Sequence, residues 1–139
     1  MKAINQAARK VMEQLTEGLG SENSHRKLDN APGAFMAVVV EFVGDTRLGP
    51  TYSVAHYFEQ NGDLLADPEM LFLKAATGDF YPLHVQMDAL GVFRCGYTIS
   101  EDGNGDRINK REQADQAVFA GTWMRNVAYQ QKLGARRAA

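Results

Sequence analysis

The dipeptide Asn61-Gly62 constrains the fold of this chain more than any other feature of its sequence. It separates two runs of high β-propensity, residues 52–60 and residues 63–75. A two-residue turn between antiparallel strands needs positive φ at both central positions, and Asn and Gly adopt such angles most readily. The sequence therefore predicts a β-hairpin with Asn61 and Gly62 at its tip.

The length of this turn determines which residues face each other across the hairpin. A two-residue turn places His56 opposite Asp67, on one face and with Cβ atoms about 5 Å apart. Pro68 complicates that register, because proline donates no ladder hydrogen bond and belongs on an edge strand or at a bulge. A bulge would slide the pairing beyond Ala66 by one residue and turn Asp67-Pro68 into a kink. Both registers are compatible with the sequence.

Periodicity in the rest of the chain predicts an α+β fold, in which an antiparallel sheet of four to five strands is flanked by an N-terminal helix and a long C-terminal helix. Apolar residues repeat with helical spacing over residues 3–17 and 109–133. Asn109 followed by Glu112 resembles a capping box at the start of the second helix. The intervening sheet region covers residues 34–99.

The final strand, the loop after the first helix and the C-terminal tail have less regular sequence patterns. Alternation of Phe93 and Cys95 with polar residues predicts a half-buried final strand that runs to Ile99. We expect residues 21–33 to form a polar loop with His25-Arg26-Lys27 as a solvated tip, and residues 134–139 to be a disordered tail.

Composition is that of one globular domain, which we assign to residues 1–139, with 45% apolar and 23% charged residues. The single cysteine, Cys95, cannot form an internal disulfide, which fits a reducing compartment, and its position in an alternating strand predicts a small core residue. No apolar run is long enough to span a membrane, and polar residues interrupt the N-terminal segment where a signal peptide would be apolar. We therefore expect a cytoplasmic protein without a membrane partner.

The net charge of −2 conceals an uneven distribution along the chain. Residues 41–106 contain eleven acidic and three basic residues, a net charge of −8, whereas residues 107–139 contain seven basic and two acidic residues, a net charge of +5. Such asymmetry favours a charged partner. Opposite charges that meet within one domain explain it equally well.

The C-terminal helix is longer than one small sheet can cover, at about 1.5 Å per residue. Its distal turns either project towards a partner or second copy, or are fully docked with their bases balancing the acids of the sheet. From residue 110 onwards the basic residues are Lys110, Arg111, Arg125, Lys132, Arg136 and Arg137. They also define an alternative function, that of a nucleic-acid-binding accessory factor.

Two groups of residues suggest chemistry without forming a complete motif. His56 and Asp67 resemble an acid–base pair, but no nucleophile lies at a predictable distance, and a cross-strand polar pair accounts for them equally. A small enzyme that uses this pair is therefore an alternative function, and we assign no catalytic residue.

The acidic loop after the sheet region has the spacing of a calcium site in part only. Asp102, Asn104 and Asp106 occupy the first, third and fifth positions of an EF-hand loop, but Arg107 replaces its glycine and Gln113 stands at the twelfth position. We expect a tight turn here, and we predict neither a metal nor a cofactor for the protein.

The segment from Leu48 to Met70 resembles the core of an uncharacterised domain family of phages, plasmids and integrative elements. The pattern of that family is Leu-Gly-Pro-x-Tyr-Ser-Val-Ala-His-Tyr-Tyr-Glu-Gln-Asn-Gly-Asp-Leu-Met-x-Asp-Pro-Glu-Met, from which this chain departs at Phe58 and Leu65. No activity is established for the family, so the resemblance supplies no catalytic residues. The genomic location of the family members implies an accessory gene of a mobile genetic element. Small proteins encoded in such elements often block host defence, including CRISPR effector complexes.

Resemblance and charge together favour a non-enzymatic accessory protein that inhibits a host defence complex, with anti-CRISPR activity as the leading hypothesis. RNA-guided effectors hold nucleic acid in basic channels, so an acidic sheet is expected to compete for such a channel or to separate the subunits around it. The expected partner is a host protein or ribonucleoprotein with a basic surface, rather than nucleic acid itself, and the protein is expected to be a monomer or dimer. The predicted partner-binding residues are the acids Glu59, Asp63, Asp67 and Glu69, with Tyr52, His56 and Tyr57 as anchors.

Overall fold

A computed structural model describes residues 1–133 of the chain. Its elements are α1 (Gln6–Thr16), β1 (His25–Leu28), β2 (Val38–Thr46), β3 (Gly49–Gln60), β4 (Asp63–Lys74), β5 (Phe80–Met87), β6 (Val92–Cys95), β7 (Tyr97–Thr98), β8 (Arg107–Ile108) and α2 (Lys110–Gln130), with a 3₁₀ turn at Asp88–Leu90. Strands β1 to β6 form one antiparallel sheet in which each strand pairs with its neighbour in sequence, and β7 and β8 form a separate two-stranded ribbon. The predicted α+β class is confirmed, although the main sheet has six strands.

The additional strand is β1, which replaces part of the polar loop expected over residues 21–33. Arg26 is not part of a solvated tip, because its guanidinium donates hydrogen bonds to the carbonyl oxygens of Leu15, at 2.8 Å, and Glu17. These carbonyls lie in the last turn of α1 and at its C-cap, where carbonyl groups have no hydrogen-bond partner within the helix. Arg26 therefore ties the edge strand to the end of the first helix.

The β3–β4 hairpin has the predicted tip. Asn61 and Gly62 both have positive φ, 53° and 84°, as a tight hairpin turn requires. Pairing is regular from the tip to Tyr57 opposite Ala66, and it then slides by one residue. Asp67 and Pro68 together lie opposite His56, so the bulge register is confirmed and the direct pairing of His56 with Asp67 is wrong.

The predicted last strand is interrupted at Gly96. The N–H of Gly96 still donates to the carbonyl of Leu83, one residue beyond the last β5–β6 pair. A Cβ atom at this position would lie 2.9 Å from the Cα atom of Gln113, so the strand ends where α2 approaches it closely. Cys95 is exposed rather than a core residue, and so is Phe93. Both side chains lie on the side of the sheet that faces away from the helices.

Both helices pack on one face of the sheet and begin at asparagine caps. The Asn5 side chain accepts from the N–H of Ala8, and Asn109 accepts from the N–H of Glu112, which confirms the predicted cap of the second helix. The core between the helices and the sheet includes Met12, Leu15, Val40, Val54, Met70, Phe72 and Met124. No helix in residues 1–133 combines the length and the apolar character needed to cross a membrane.

Helix α2 and the three residues that follow it pack against the rest of the protein up to residue 133. Val127, Gln131 and Leu133 are buried, and the Gln131 side chain accepts from the N–H of Asn30 at 2.8 Å while donating to the carbonyl of Met36 at 3.1 Å. The segment is therefore docked over residues 110–133, but the second half of that alternative is not observed, since none of the described ion pairs joins Lys110, Arg111, Arg125 or Lys132 to an acid. The predicted disordered tail, residues 134–139, lies outside the described residues together with its two arginines.

Candidate interaction surface

The sheet has one face without a helix, which we call the open face. Strand alternation places Tyr52, Val54 and His56 of β3 towards the helices, and Ala55 and Tyr57 towards the open face. The side chains that the register places on this face of the central strands include Val39 and Glu41 on β2, Ser53, Ala55, Tyr57 and Glu59 on β3, and Leu64, Ala66, Glu69 and Leu71 on β4. Ser53, Ala55 and Ala66 among them are buried. The predicted partner-binding residues are consequently divided between the two faces.

Acidic side chains gather around Tyr57 on the open face. Its hydroxyl donates to the Glu69 carboxylate at 3.3 Å. Burial, reinforced first by Glu69 and then by Glu41 and Asp88, raises the pKa of Tyr57 to about 12. The phenol is therefore neutral at physiological pH and acts as a hydrogen-bond donor within a group of carboxylates.

Asp88 is held beside this group by the turn that follows β5. Its carboxylate accepts from the Gln86 side chain at 2.6 Å and from the N–H of Ala66 at 2.8 Å. These hydrogen bonds lower the pKa of Asp88, the bond from Gln86 having the larger effect. The carboxylate thus keeps its negative charge and supports β4 next to the bulge.

Apolar side chains adjoin the acids on the same face. Val43 is 55% exposed, Leu64 is 68% exposed and Phe93 is 60% exposed. They lie on three different strands, so they are separate apolar contacts beside the acids rather than one continuous patch. The open face therefore offers both contact area and charge to a partner.

Tyr52 and His56, predicted as anchors, are buried on the helix side of the sheet. The His56 ring lies edge-on to Trp123 with ring centroids 5.5 Å apart, and its Nε2 atom is buried without a hydrogen-bond partner within residues 1–133. Burial lowers the pKa of His56, and the nearby charge of Asp67 opposes that shift only in part. A neutral imidazole packed beneath α2 is thus part of the core. Tyr52, which packs on Phe80, is part of it too.

The other predicted acids differ in their surroundings. Asp63 is exposed at the hairpin tip, opposite Gln60, and Asp67 lies at the bulge near His56. Glu59 is exposed on the open face with Glu69. The hairpin therefore carries acids on both of its faces, and only Tyr57, Glu59 and Glu69 share the open one.

Sequence reasoning did not assign Glu41 and Asp88 to the site. The alternation of β2 already separates Glu41 from the core residues Val38 and Val40, so that a register for β2 against β3 would have placed it beside Ser53. Asp88 had no such signal, because a turn rather than a strand brings it to Ala66.

The loop with calcium-like spacing is organised by internal hydrogen bonds. Asp106 accepts from the Arg47 guanidinium and from the N–H of Ser100, and the interaction with Arg47 is the largest of the causes that lower the pKa of Asp106. Asp102 accepts from the N–H of Asn104 at 3.0 Å, as in an ordinary Asx turn. Throughout residues 1–133, no three His, Cys, Asp or Glu side chains are grouped as a metal ion would require.

Fold and surface together define a two-layer α+β protein, with helices on one side and an exposed, acidic sheet face on the other. The chain belongs to the family described as Domain of unknown function (DUF6908), whose profile matches residues 3–133. Comparison with curated proteins and with solved structures yields no significant match.

Proposed function

We propose that this protein is a non-enzymatic binding protein whose open face docks on a basic surface of a host macromolecular complex. The observation that carries this proposal is the group formed by Tyr57, Glu69, Glu41 and Asp88 on a sheet face that no helix covers within residues 1–133. Carboxylates of this kind accept hydrogen bonds from Arg and Lys side chains, and complementary charge increases both the rate and the specificity of association.

The proposed partner is a defence complex, and specifically a CRISPR effector. Effectors of this class hold nucleic acid in positively charged channels, which an acidic sheet of fixed geometry matches in charge. The resemblance of residues 48–70 to proteins of mobile genetic elements supports this choice, because inhibition of such complexes benefits the element. Exposed Leu64 and Phe93 supply the apolar contacts that charge alone does not provide.

The proposal is tested by plasmid loss in bacteria that have an active CRISPR system and produce the protein or a variant. The wild-type protein is expected to restore plasmid retention, and Glu41→Lys combined with Glu69→Lys is expected to reduce this protection by about tenfold or more, since it places like charges against a basic surface. The matched control is Glu17→Lys combined with Glu22→Lys, which reverses the same number of charges at exposed positions beside the end of α1.

Two outcomes contradict the proposal. If the wild-type protein protects plasmids against none of a panel representing the CRISPR types, it does not inhibit this class of defence. Undiminished protection by the Glu41→Lys/Glu69→Lys protein would instead exclude the open face as the inhibitory surface.

A further inference from the structure

A groove crosses the outer surface of the helix layer, opposite the open face. Three adjoining depressions form it, and Arg125 lines all of them. The central depression lies between α1 and α2 and is floored by Ala8, Val11 and Ala128. We call the whole depression the helix groove; its neighbouring parts lie towards Lys2 at one end and towards Tyr129 at the other.

The rim of the helix groove is basic. Lys2, Lys10, Arg125 and Lys132 line its three parts, and no acidic residue among residues 1–133 does so. These four side chains form no ion pair with an acid of the described chain, whereas Arg9, Arg47 and Arg94 all do. Positive charge on this rim is therefore not neutralised by the acids of the same layer.

One end of the groove carries exposed aromatic rings. Tyr129 is 79% exposed and Phe35 is 41% exposed, and their rings meet edge-to-face with centroids 6.4 Å apart. The hydrogen bonds of Gln131 to Asn30 and Met36 fix the segment that carries Phe35 against the end of α2. The aromatic pair is thus presented in a defined geometry, which reduces the entropy that binding would cost.

We propose that the helix groove binds an acidic amphipathic α-helix of a partner protein. A shallow apolar floor between two helices accommodates the apolar stripe of a third helix, and unpaired bases along the rim complement acidic residues that flank such a stripe. Tyr129 and Arg125 are residue types that concentrate binding energy at protein interfaces, and Phe35 is of a type enriched there. Single-stranded nucleic acid fits less well, because its backbone is tracked by continuous positive charge, whereas this floor is apolar and the whole chain has a net charge of −2.

The test measures fluorescence anisotropy of a labelled 18-residue helical peptide in which a leucine stripe is flanked by glutamates. Saturable binding is expected, and Arg125→Glu should weaken it by about tenfold, which corresponds to about 1.4 kcal/mol. The matched control is Arg111→Glu, the same substitution at an exposed position of the same helix that lines no part of the groove. Tyr129→Ser provides a second variant without charge reversal and should weaken binding as well, while circular dichroism verifies that each variant is folded.

Amide chemical shifts locate the bound peptide independently. Perturbations are expected at Ala7, Val11 and Ala128, and Glu41→Lys/Glu69→Lys should leave peptide affinity unchanged, because those residues lie on the opposite layer. Absence of saturable binding, equal binding of a matched lysine-flanked peptide, or equal loss in Arg111→Glu would overturn the proposal. Tighter, Arg125-dependent binding of a labelled oligothymidylate would also overturn it, since the groove would then be a nucleic-acid site.

Discussion

At the scale of single residues, the direction of a side chain along β3 determines its role. His56 and Tyr57 are adjacent in sequence, yet His56 is packed against Trp123 under α2 and Tyr57 hydrogen-bonds to Glu69 on the open face. Burial affects both rings in the direction that favours the neutral form, lowering the pKa of His56 and raising that of Tyr57. The same cause thus gives a core imidazole on one side and an uncharged donor on the other.

His56 predicts how stability depends on pH. Folding lowers the pKa of its imidazole by burial, so below an unfolded-state pKa of about 6.5 the unfolded chain binds more protons than the folded one. The contribution of His56 to the free energy of unfolding is therefore fully present above that pH, and it is lost as the pH falls towards 5. Thermal unfolding between pH 7.5 and 5 should show this decrease, and His56→Met should reduce its slope.

His84 contributes in the same direction, because burial also lowers its pKa, so part of the slope persists in His56→Met. An unchanged slope in His56→Met would show that this ring does not couple protonation to folding.

At the scale of elements, the sequence predicts what local chemistry determines. The Asn61-Gly62 turn and the Asn109 cap depend on residues within a few positions of each other, and the structure contains both. Pro68 likewise made the bulge one of two registers that the sequence allowed, and the structure has the bulge. Strand β1 depends instead on pairing with β2 and on the hydrogen bonds of Arg26 to the end of α1, which are tertiary contacts. Its polar sequence has the character of a loop, so periodicity could not reveal it.

The end of β6 is a second element whose cause is tertiary. Alternation alone extends the strand through Ile99, but close approach of α2 removes the chain from the sheet at Gly96. The same alternation then misassigned Cys95 and Phe93 to the core, because it does not tell which face of the sheet the helices cover.

Gly96→Ala tests the contact between this turn and α2. The added Cβ atom would lie 2.9 Å from the Cα atom of Gln113, so backbone must shift, and we expect the free energy of unfolding to fall by about 1–3 kcal/mol. Urea denaturation measures the difference. Gly20→Ala is the matched control, because a Cβ atom there meets nothing within 4 Å. Similar small effects of the two substitutions would mean that α2 adjusts to the turn without cost.

At the scale of the whole molecule, charge is separated between two outer surfaces. The sheet side carries Glu41, Glu59 and Glu69, and the helix groove carries Lys10 and Arg125. The sequence predicted the opposite charges of the middle and C-terminal segments but not this layering, since it required the strand register and the docked position of α2. Of the expected partner-binding set, Tyr57, Glu59 and Glu69 lie on the open face. Alternation along β3 separates Tyr57 and Glu59 from His56, but Glu69 reaches that face only because the bulge at Asp67-Pro68 shifts the register of β4.

Because a packed core separates the two surfaces and they share no residue, binding at one should be independent of binding at the other. Free energies of well-separated sites add to within about 0.5 kcal/mol. When a short lysine-rich peptide saturates the open face, the acidic helical peptide should therefore bind the helix groove with the same affinity, to within about twofold. Isothermal titration at one fixed ionic strength measures this, because salt screens both interactions and would mimic coupling. The Glu41→Lys/Glu69→Lys protein is the control, since the lysine-rich peptide should no longer bind it. A change in affinity well beyond twofold in the wild type alone would show that the sheet transmits binding between its layers, and the two surfaces would then act as one coupled site.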